Sequence, residues 1–214
     1  SGGMRVFLQN MRPQCFEDII AAISLYRPGP MESIPRYIAG KADPSTVHYE
    51  TPLLKPILDV TYGCMVYQEQ VMQIVRALAG YSLGRSDLMR RAMAKKKKAV
   101  MAQEREYFIY GMKDENGNAV IDGALRRGVS LEAAEHIYDE MSAFASYAFN
   151  KSHAAAYALV AVWTAWLKKH YPVPFMAALL NSMMDNTPKI AGYIQYCRQS
   201  GIPILPPSVN HSGW

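Results

Sequence analysis

Cysteine is scarce in this sequence of 214 residues, and its placement excludes a disulfide framework. The three cysteines, Cys15, Cys64 and Cys197, are odd in number and far apart, whereas small secreted domains carry an even number of cysteines at close spacing. We therefore expect three buried, reduced thiols. No Cys-x-x-Cys pair is present and the five histidines are scattered, so the sequence predicts no zinc site.

Long apolar runs are missing as well. The longest candidate, residues 154–167, is shorter than the roughly 20 residues that a membrane-spanning helix needs. It is followed at once by Lys168, Lys169 and His170. The sequence therefore predicts a soluble, cytoplasmic protein that has no membrane partner.

The short motifs of common enzyme classes are absent too. The sequence contains no Gly-x-Ser-x-Gly, phosphate-binding loop, His-Glu-x-x-His or Gly-x-Gly-x-x-Gly motif. It also has no Asp-x-Asp pair of the kind that holds two divalent cations about 3.5 to 4 Å apart. The residues from Asp114 resemble the start of a calcium-binding loop, but Ala119 and Leu125 stand where that loop needs glycine and an acid. Neither catalysis nor metal binding is predicted for this chain.

Positive charge is in excess and is concentrated in one segment. The sequence has 23 Lys and Arg against 18 Asp and Glu, a net charge of +5, and no acid lies between Asp87 and Glu104. Such a segment is typical of a surface that binds nucleic acid or nucleotide phosphate, although a solvated helix face shows the same pattern. The positive residues of the segment are Arg90, Arg91, Lys95, Lys96, Lys97 and Lys98.

Apolar spacing predicts a mainly α-helical fold. Between residues 68 and 81, apolar side chains recur on one face of a helix. Helices are also predicted over 131–147 and 153–171. Another is predicted to follow Ser86 and to run through Arg91, and whether it continues across the lysines to residue 110 stays open. The segment 111–128 interrupts this rhythm, and its Asn-Gly pair predicts a small β-hairpin.

Three serines are placed to cap these helices. Ser86, Ser130 and Ser152 each precede a predicted helix, and a serine hydroxyl at such a position accepts a hydrogen bond from a backbone amide of the first turn.

A second candidate anion site is the segment Tyr147 to His153. Its predicted helix N-terminus attracts negative charge. Lys151, Ser152 and His153 flank that N-terminus, and Phe149 is available to stack or pack. The alternative is an ordinary serine-capped helix whose phenylalanine packs in the core. Residue chemistry alone leaves both interpretations open.

Several longer motifs, in order along the chain, resemble the alpha subunit of bacterial DNA polymerase III, a replicative polymerase of the C family. They are Ser24-Leu-Tyr-Arg-Pro-Gly-Pro-Met31, Thr61-Tyr-Gly-Cys-Met-Val-Tyr-Gln-Glu-Gln-Val-Met72, Ala79-Gly-Tyr-Ser-Leu-Gly84, Asp87-Leu-Met-Arg-Arg-Ala-Met93, Tyr147-Ala-Phe-Asn-Lys-Ser-His-Ala-Ala-Ala-Tyr157, Tyr171-Pro-Val-Pro-Phe-Met-Ala-Ala-Leu-Leu180 and Ile204-Leu-Pro-Pro.

This resemblance implies the fingers of the polymerase, a multi-helix domain over 1–201 with a hairpin insertion near 111–128. Residues 202–214 would then lead to the next, absent domain. In this family the fingers bind the incoming deoxynucleoside triphosphate and primer-template DNA, and other domains of the subunit and replisome proteins are partners. The palm, with its three catalytic aspartates and Mg²⁺, is missing from this sequence. We therefore expect an inactive part of a DNA-directed DNA polymerase that binds no cofactor of its own.

The resemblance also assigns roles to individual residues. It makes Arg90 and Arg91 contacts to phosphate or DNA. Residue charge, and not the resemblance, predicts that the four lysines Lys95 to Lys98 contact the DNA backbone. Ala94 stands where the family usually has glycine, which leaves the path of the lysine segment open. The nucleotide-facing edge would comprise Asn150, Lys151, Ser152 and His153.

Because a triphosphate carries several charges, we expect Arg90, Arg91 and Lys151 to lie on one continuous positive surface. The alternative function is a helical DNA-binding or replisome-scaffolding domain, which would share the charge but need no nucleotide pocket. A free-standing small-molecule enzyme is disfavoured by the missing motifs.

Overall fold

The computed structural model describes residues 2–95, 98–145, 147–206 and 208–210. These residues form eleven α-helices and one small antiparallel sheet, which confirms the mainly α fold with a β-hairpin. The helices are α1 (Gly2–Met11), α2 (Phe16–Leu25), α3 (Ile34–Ala42), α4 (Lys55–Leu58), α5 (Gln68–Ala79), α6 (Leu83–Ala94), α7 (Lys98–Tyr110), α8 (Leu131–Ala145), α9 (Lys151–His170), α10 (Pro172–Asn181) and α11 (Thr187–Gln199).

The hairpin consists of β1 (Met112–Lys113) and β2 (Ala119–Ile121), with an irregularity between the two residues of β1. Gly117 has a φ of +82° in the turn, a value that glycine adopts without strain. Asp114 accepts hydrogen bonds from the backbone amides of Asn116 at 3.0 Å and Asn118 at 2.8 Å. The acid that resembled the start of a calcium loop thus holds the turn together.

The chain divides into two compact units, Ser1–Ala158 and Leu159–Trp214. In the second unit α10 contacts α11, and the Lys168 ammonium lies 4.0 Å from the centre of the Tyr196 ring. Trp163 and Trp166 expose 59% and 52% of their surface in this unit. Among the described residues we find no helix that is long and apolar enough to cross a membrane.

The first unit has two apolar clusters. One surrounds α5 and includes Ile74, Leu78, Phe108 and Met141. The other joins α2, α3 and the first two turns of α9, and includes Leu25, Tyr37, Tyr67, Ala154 and Ala158. The segment between α4 and α5 serves both clusters, because Met65 belongs to the first and its neighbours Cys64 and Val66 to the second.

Gln70 fixes the turn by which this segment enters α5. Its buried side-chain oxygen accepts hydrogen bonds from the backbone amides of Val66 at 2.8 Å and Tyr67 at 3.0 Å. Its side-chain nitrogen donates to the Thr61 hydroxyl at 2.8 Å. A buried amide with both ends bonded holds the chain in one conformation, so the first residues of α5 have fixed positions.

The cysteine prediction is correct for two residues and wrong for the third. Cys64 and Cys197 are buried, whereas Cys15 is exposed. Cys15 lies at the N-cap of α2 with an extended backbone. Because the N-cap residue precedes the first turn of the helix, no earlier turn of α2 covers its side chain, which accounts for the exposure.

Candidate nucleotide and nucleic-acid interface

The helix that carries the two arginines begins earlier than the sequence predicts. Ser82, and not Ser86, is the N-cap of α6, and its hydroxyl accepts a hydrogen bond from the Arg85 amide at 3.2 Å. Ser86 is buried within the helix and donates to the Leu83 carbonyl. The prediction of Ser86 as a cap is therefore wrong, because a second serine with extended backbone stands four residues before it.

Both arginines pair with Asp87, one turn earlier on α6. Arg90 donates to Oδ1 of Asp87 from Nη2 at 2.6 Å and from Nε at 3.0 Å. Nη2 of Arg91 lies 2.7 Å from Oδ2. The hydrogen bonds from Arg90 oppose the effect of desolvation and hold the pKa of Asp87 below its usual value. Arg91 exposes 63% of its side chain against 20% for Arg90, so Arg91 is the more accessible to a phosphate.

The lysine segment lies at a junction between helices. The helix predicted through Arg91 does not continue to residue 110, because α6 ends at Ala94 and α7 begins at Lys98. The two helices contact each other. Lys95 is exposed at the C-cap of α6, whereas Lys96 and Lys97 lie outside the described residues.

The cap of α9 also differs from the predicted one. Ser130 caps α8 as predicted, accepting from the Ala133 amide at 3.2 Å. At α9 the cap is Asn150, whose side-chain oxygen accepts from the His153 amide at 2.8 Å. Ser152 is exposed in the first turn. Asparagine is as good a cap as serine, and here it stands two residues earlier.

The nucleotide-facing residues proposed from the sequence surround this N-terminus. Lys151 places its ammonium 3.0 Å from the Glu17 carboxylate and 5.3 Å from the centre of the Tyr67 ring. His153 is exposed, and its ring centre lies 5.4 Å from that of Phe149. Neither Ser152 nor His153 is covered by neighbouring helices, so both side chains can reach a ligand.

Gln68, the first residue of α5, connects two positive clusters. One is Arg90 with Arg91 on α6, and the other surrounds Lys151 at the N-terminus of α9. Its side-chain oxygen accepts a hydrogen bond from Nη1 of Arg90 at 3.1 Å. Its side-chain nitrogen donates to the carbonyl of Ala148 at 3.0 Å. One side chain therefore spans from α6 to the segment that opens α9, although these lie almost sixty residues apart in the sequence.

Glu69, the next residue of α5, bonds directly to the same N-terminus. Its carboxylate accepts hydrogen bonds from the Asn150 side chain at 3.0 Å and from the Lys151 amide at 3.1 Å. The backbone adds to this contact, since the Gln68 amide donates to the Phe149 carbonyl at 2.9 Å. The sequence offers only one signal that Glu69 matters, its place in the first turn of α5. An acid there ordinarily does no more than interact favourably with the dipole of its own helix.

Arg27 is a further positive residue, and the sequence alone did not predict its role. It is exposed, and its guanidinium lies 4.4 Å from the centre of the Phe149 ring. A guanidinium over an aromatic ring is attracted electrostatically to the negative face of the ring, a cation–π interaction. Arg27 thus adds positive charge beside the N-terminus of α9.

The described residues contain no group of three or more His, Cys, Asp or Glu side chains that could hold a metal ion. They do hold an exposed arginine on α6, Arg91, and a helix N-terminus beside the rings of Phe149 and His153, which meet edge to face. This combination can bind phosphate groups and the faces of nucleobases.

Comparison with known proteins gives the family. A family model described as the bacterial DNA polymerase III alpha subunit finger domain matches residues 1–116. The chain belongs to this finger-domain family. Its motifs around Gln68 and around Arg90 lie within the matched residues, and the N-terminus of α9 lies beyond them.

Curated relatives extend the likeness of this finger-domain chain over its whole length. It is 50% identical over 214 residues to DNA polymerase III subunit alpha of Xylella fastidiosa (strain Temecula1 / ATCC 700964). It is 51% identical over 219 residues to the protein of that name from Thermus aquaticus, and 44% identical over 217 residues to the one from Escherichia coli (strain K12). These alignments cover 98 to 100% of the chain but only 17 to 18% of each relative.

Proposed function

We propose that this chain is the part of a bacterial replicative DNA polymerase that binds the incoming deoxynucleoside triphosphate and primer-template DNA. The observation that carries the proposal is the side chain of Gln68, which bonds to Arg90 at one end and to Ala148 at the other. This bridge supports the proposal that two positive clusters, distant in sequence, belong to one surface. The proposed role also places the protein in the cytoplasm, where replication takes place in bacteria.

Electrostatics explain why both clusters are needed. A helix N-terminus offers only about half a unit of positive charge, whereas a triphosphate carries several negative charges. At α9, Ser152 and His153 are available as donors, and Lys151 can exchange the Glu17 carboxylate for a phosphate oxygen. Arg91 adds a guanidinium that forks onto phosphate, a charge-assisted contact about twice as strong as a neutral hydrogen bond.

The proposal assigns electrostatic stabilisation to this chain and no bond-making step. The reaction itself needs carboxylates that hold Mg²⁺, which we assign to another part of the longer subunit. No step proposed for this chain passes through the metal ion.

We expect Arg91→Ala or Lys151→Ala, made in the full-length subunit, to lower kcat/KM for nucleotide by about ten- to a hundredfold. Each substitution removes a charge-assisted contact of about 1.5 to 3 kcal/mol. The measurement is steady-state incorporation of one nucleotide on a primed template. Arg126→Ala is the matched control, since Arg126 is exposed on a different segment. Wild-type kinetics in both variants would favour the scaffolding alternative, which has no nucleotide pocket.

DNA binding by the chain is expected to be weak and to depend steeply on salt. Contacts from two or three cations to phosphates predict that affinity falls by about ten- to fiftyfold between about 50 and 200 mM salt. Fluorescence anisotropy of a labelled primer-template measures this slope. Lys95→Ala should reduce the slope of log affinity against log salt concentration by about 1, the value expected for one lost phosphate contact. Binding that is insensitive to salt would show that the lysine segment is only a solvated surface.

A further inference from the structure

Gln68 and Glu69 carry out a task that the proposed function does not assign. Between them they bond to the Arg90 guanidinium, the Ala148 carbonyl and the amide at the N-terminus of α9. We propose that both are positioning residues for the nucleotide: they hold the two positive clusters in register and do not touch the nucleotide themselves. This inference rests on the proposed function.

Gln68 immobilises Arg90. With Nη1 on Gln68 and both Nε and Nη2 on Asp87, three nitrogens of the guanidinium are bonded within the protein. Arg90 therefore has little freedom to follow a ligand, whereas Arg91, which contacts Asp87 through Nη2 and is 63% exposed, can turn toward one. The fixed Arg90 instead ties α6 to the segment before α9, so the distance between the two clusters is set before a nucleotide arrives.

The carboxylate of Glu69 could affect nucleotide binding in two opposite ways. Its carboxylate occupies a helix N-terminus, where an anion binds, and so it could compete with a phosphate. It also orders the turn that carries Ser152 and His153. Asn150 donates to Glu69 with its side-chain nitrogen and caps His153 with its side-chain oxygen. Loss of Glu69 thus releases the cap as well as the amide.

Positioning is the larger of these two effects. A phosphate at this N-terminus can bind the exposed side chains of Ser152 and His153, while Glu69 keeps the Asn150 side chain and the Lys151 amide. A displacement of about 1 Å in a binding group, by contrast, can cost about a hundredfold in rate. We therefore expect the loss of Glu69 to weaken nucleotide binding.

Alanine and glutamine at position 69 separate the two effects. In the structure one oxygen, Oε1, accepts from both the Asn150 side chain and the Lys151 amide, at 3.0 and 3.2 Å. A glutamine oxygen can keep both bonds without the charge. In the full-length subunit, Glu69→Ala is expected to raise KM for nucleotide about tenfold or more, and Glu69→Gln to leave KM within about threefold of wild type. Glu132→Ala is the matched control, since Glu132 is an exposed acid in the first turn of α8.

A double-mutant cycle tests the other residue. If Gln68 acts through Arg90, the double variant Gln68→Ala with Arg90→Ala has about the same KM as Arg90→Ala alone. Effects that multiply would overturn this part of the inference. Hydrogen exchange of the full-length subunit without nucleotide gives an independent readout. Glu69→Ala should speed exchange at the Lys151 and His153 amides and leave the Ala133 amide of α8 unchanged.

The outcomes separate failure of this inference from failure of the proposed function. If Glu69→Ala and Glu69→Gln both lower KM, Glu69 is a competitor of phosphate and the positioning role is wrong. If the variants at 68 and 69 keep the wild-type KM while Arg91→Ala raises it, only the positioning role fails. If Arg91→Ala and Lys151→Ala also keep the wild-type KM, the nucleotide is not bound here and both proposals fall.

Discussion

Replacing Asp18 with alanine is expected to lower the free energy of unfolding by about 3 to 5 kcal/mol. Asp18 is 1% exposed and accepts hydrogen bonds from the Gln14 amide at 2.8 Å, the Cys15 amide at 3.2 Å and the Lys41 ammonium at 2.8 Å. Alanine would leave that ammonium, whose side chain is only 9% exposed, without its counter-charge. The Gln14 and Cys15 amides at the start of α2 would lose their acceptor in the same step.

The effect of this substitution should depend on pH. Burial opposes ionisation of Asp18, but the hydrogen bonds from Gln14, Lys41 and Cys15 outweigh it, so the pKa lies below its ordinary value. A lowered pKa in the folded state means that the carboxylate stabilises the protein above its unfolded pKa of about 3.9. This contribution is lost as the pH falls through the folded pKa. Wild type and Asp18→Ala should therefore approach each other in stability only below about pH 4.

Urea denaturation followed by circular dichroism at a series of pH values measures this difference. Asp185→Ala, which removes an exposed acid of the second unit, is the control and should change stability by less than about 0.5 kcal/mol. A loss below about 1 kcal/mol for Asp18→Ala at neutral pH would contradict the role of the buried pair.

Alanine at Gly123 is the second substitution with a large expected effect, a loss of at least about 3 kcal/mol. Gly123 has a φ of +84°, and a Cβ there would lie 2.4 Å from the Gly111 nitrogen and 2.6 Å from the carbonyl carbon of Tyr110. Both neighbours are backbone atoms, which cannot turn aside as a side chain can. The Gly123 amide also donates to the Ala79 carbonyl at 3.1 Å, so a shift here disturbs the end of α5.

Gly117 provides a matched control for this prediction. Its φ of +82° is nearly the same, but a Cβ there would meet nothing within 4 Å. Gly117→Ala should therefore cost only the strain of a left-handed residue, about 1 to 2 kcal/mol. The difference between the two variants in thermal or urea unfolding isolates the steric term. Equal losses would show that backbone strain alone accounts for the effect at Gly123.

The sequence predicted the elements whose signals are local. The apolar stripe of α5 gave that helix to within two residues at its end, and Ser130 was correctly predicted as the cap of α8. The Asn116-Gly117 pair correctly predicted the hairpin. In each case the deciding residues are neighbours in the chain, so periodicity and turn chemistry contain the information.

Choices between nearby residues were less accessible from the sequence. Ser82 displaced Ser86 as a cap, and Asn150 displaced Ser152, because the direction in which the chain enters a helix decides between two suitable residues. That direction is set by tertiary packing. The end of α6 at Ala94 likewise has no local signal, because the alanines, methionine and lysines around it are all good helix formers.

The connections within the candidate site could not be predicted at all. Arg90, Arg91 and the residues after Asn150 were selected by their charge and by a resemblance, and their binding roles stay predictions. Neither charge nor the resemblance pointed to Gln68 and Glu69 as site residues, because their partners around α9 lie about eighty residues away in the chain. Only the fold shows that the polar first residues of α5 bond to the N-terminus of α9.

The exposed tryptophans have a consequence for spectroscopy. Trp163 and Trp166 belong to the second unit, whereas the two apolar clusters of the first unit contain tyrosines such as Tyr37, Tyr67 and Tyr138. Indole emission from α9 therefore starts from solvated rings and shifts little in wavelength when either cluster melts. Tyrosine absorbance in the near ultraviolet, by contrast, reports directly on the buried rings, and it is the optical signal to follow when the first unit unfolds.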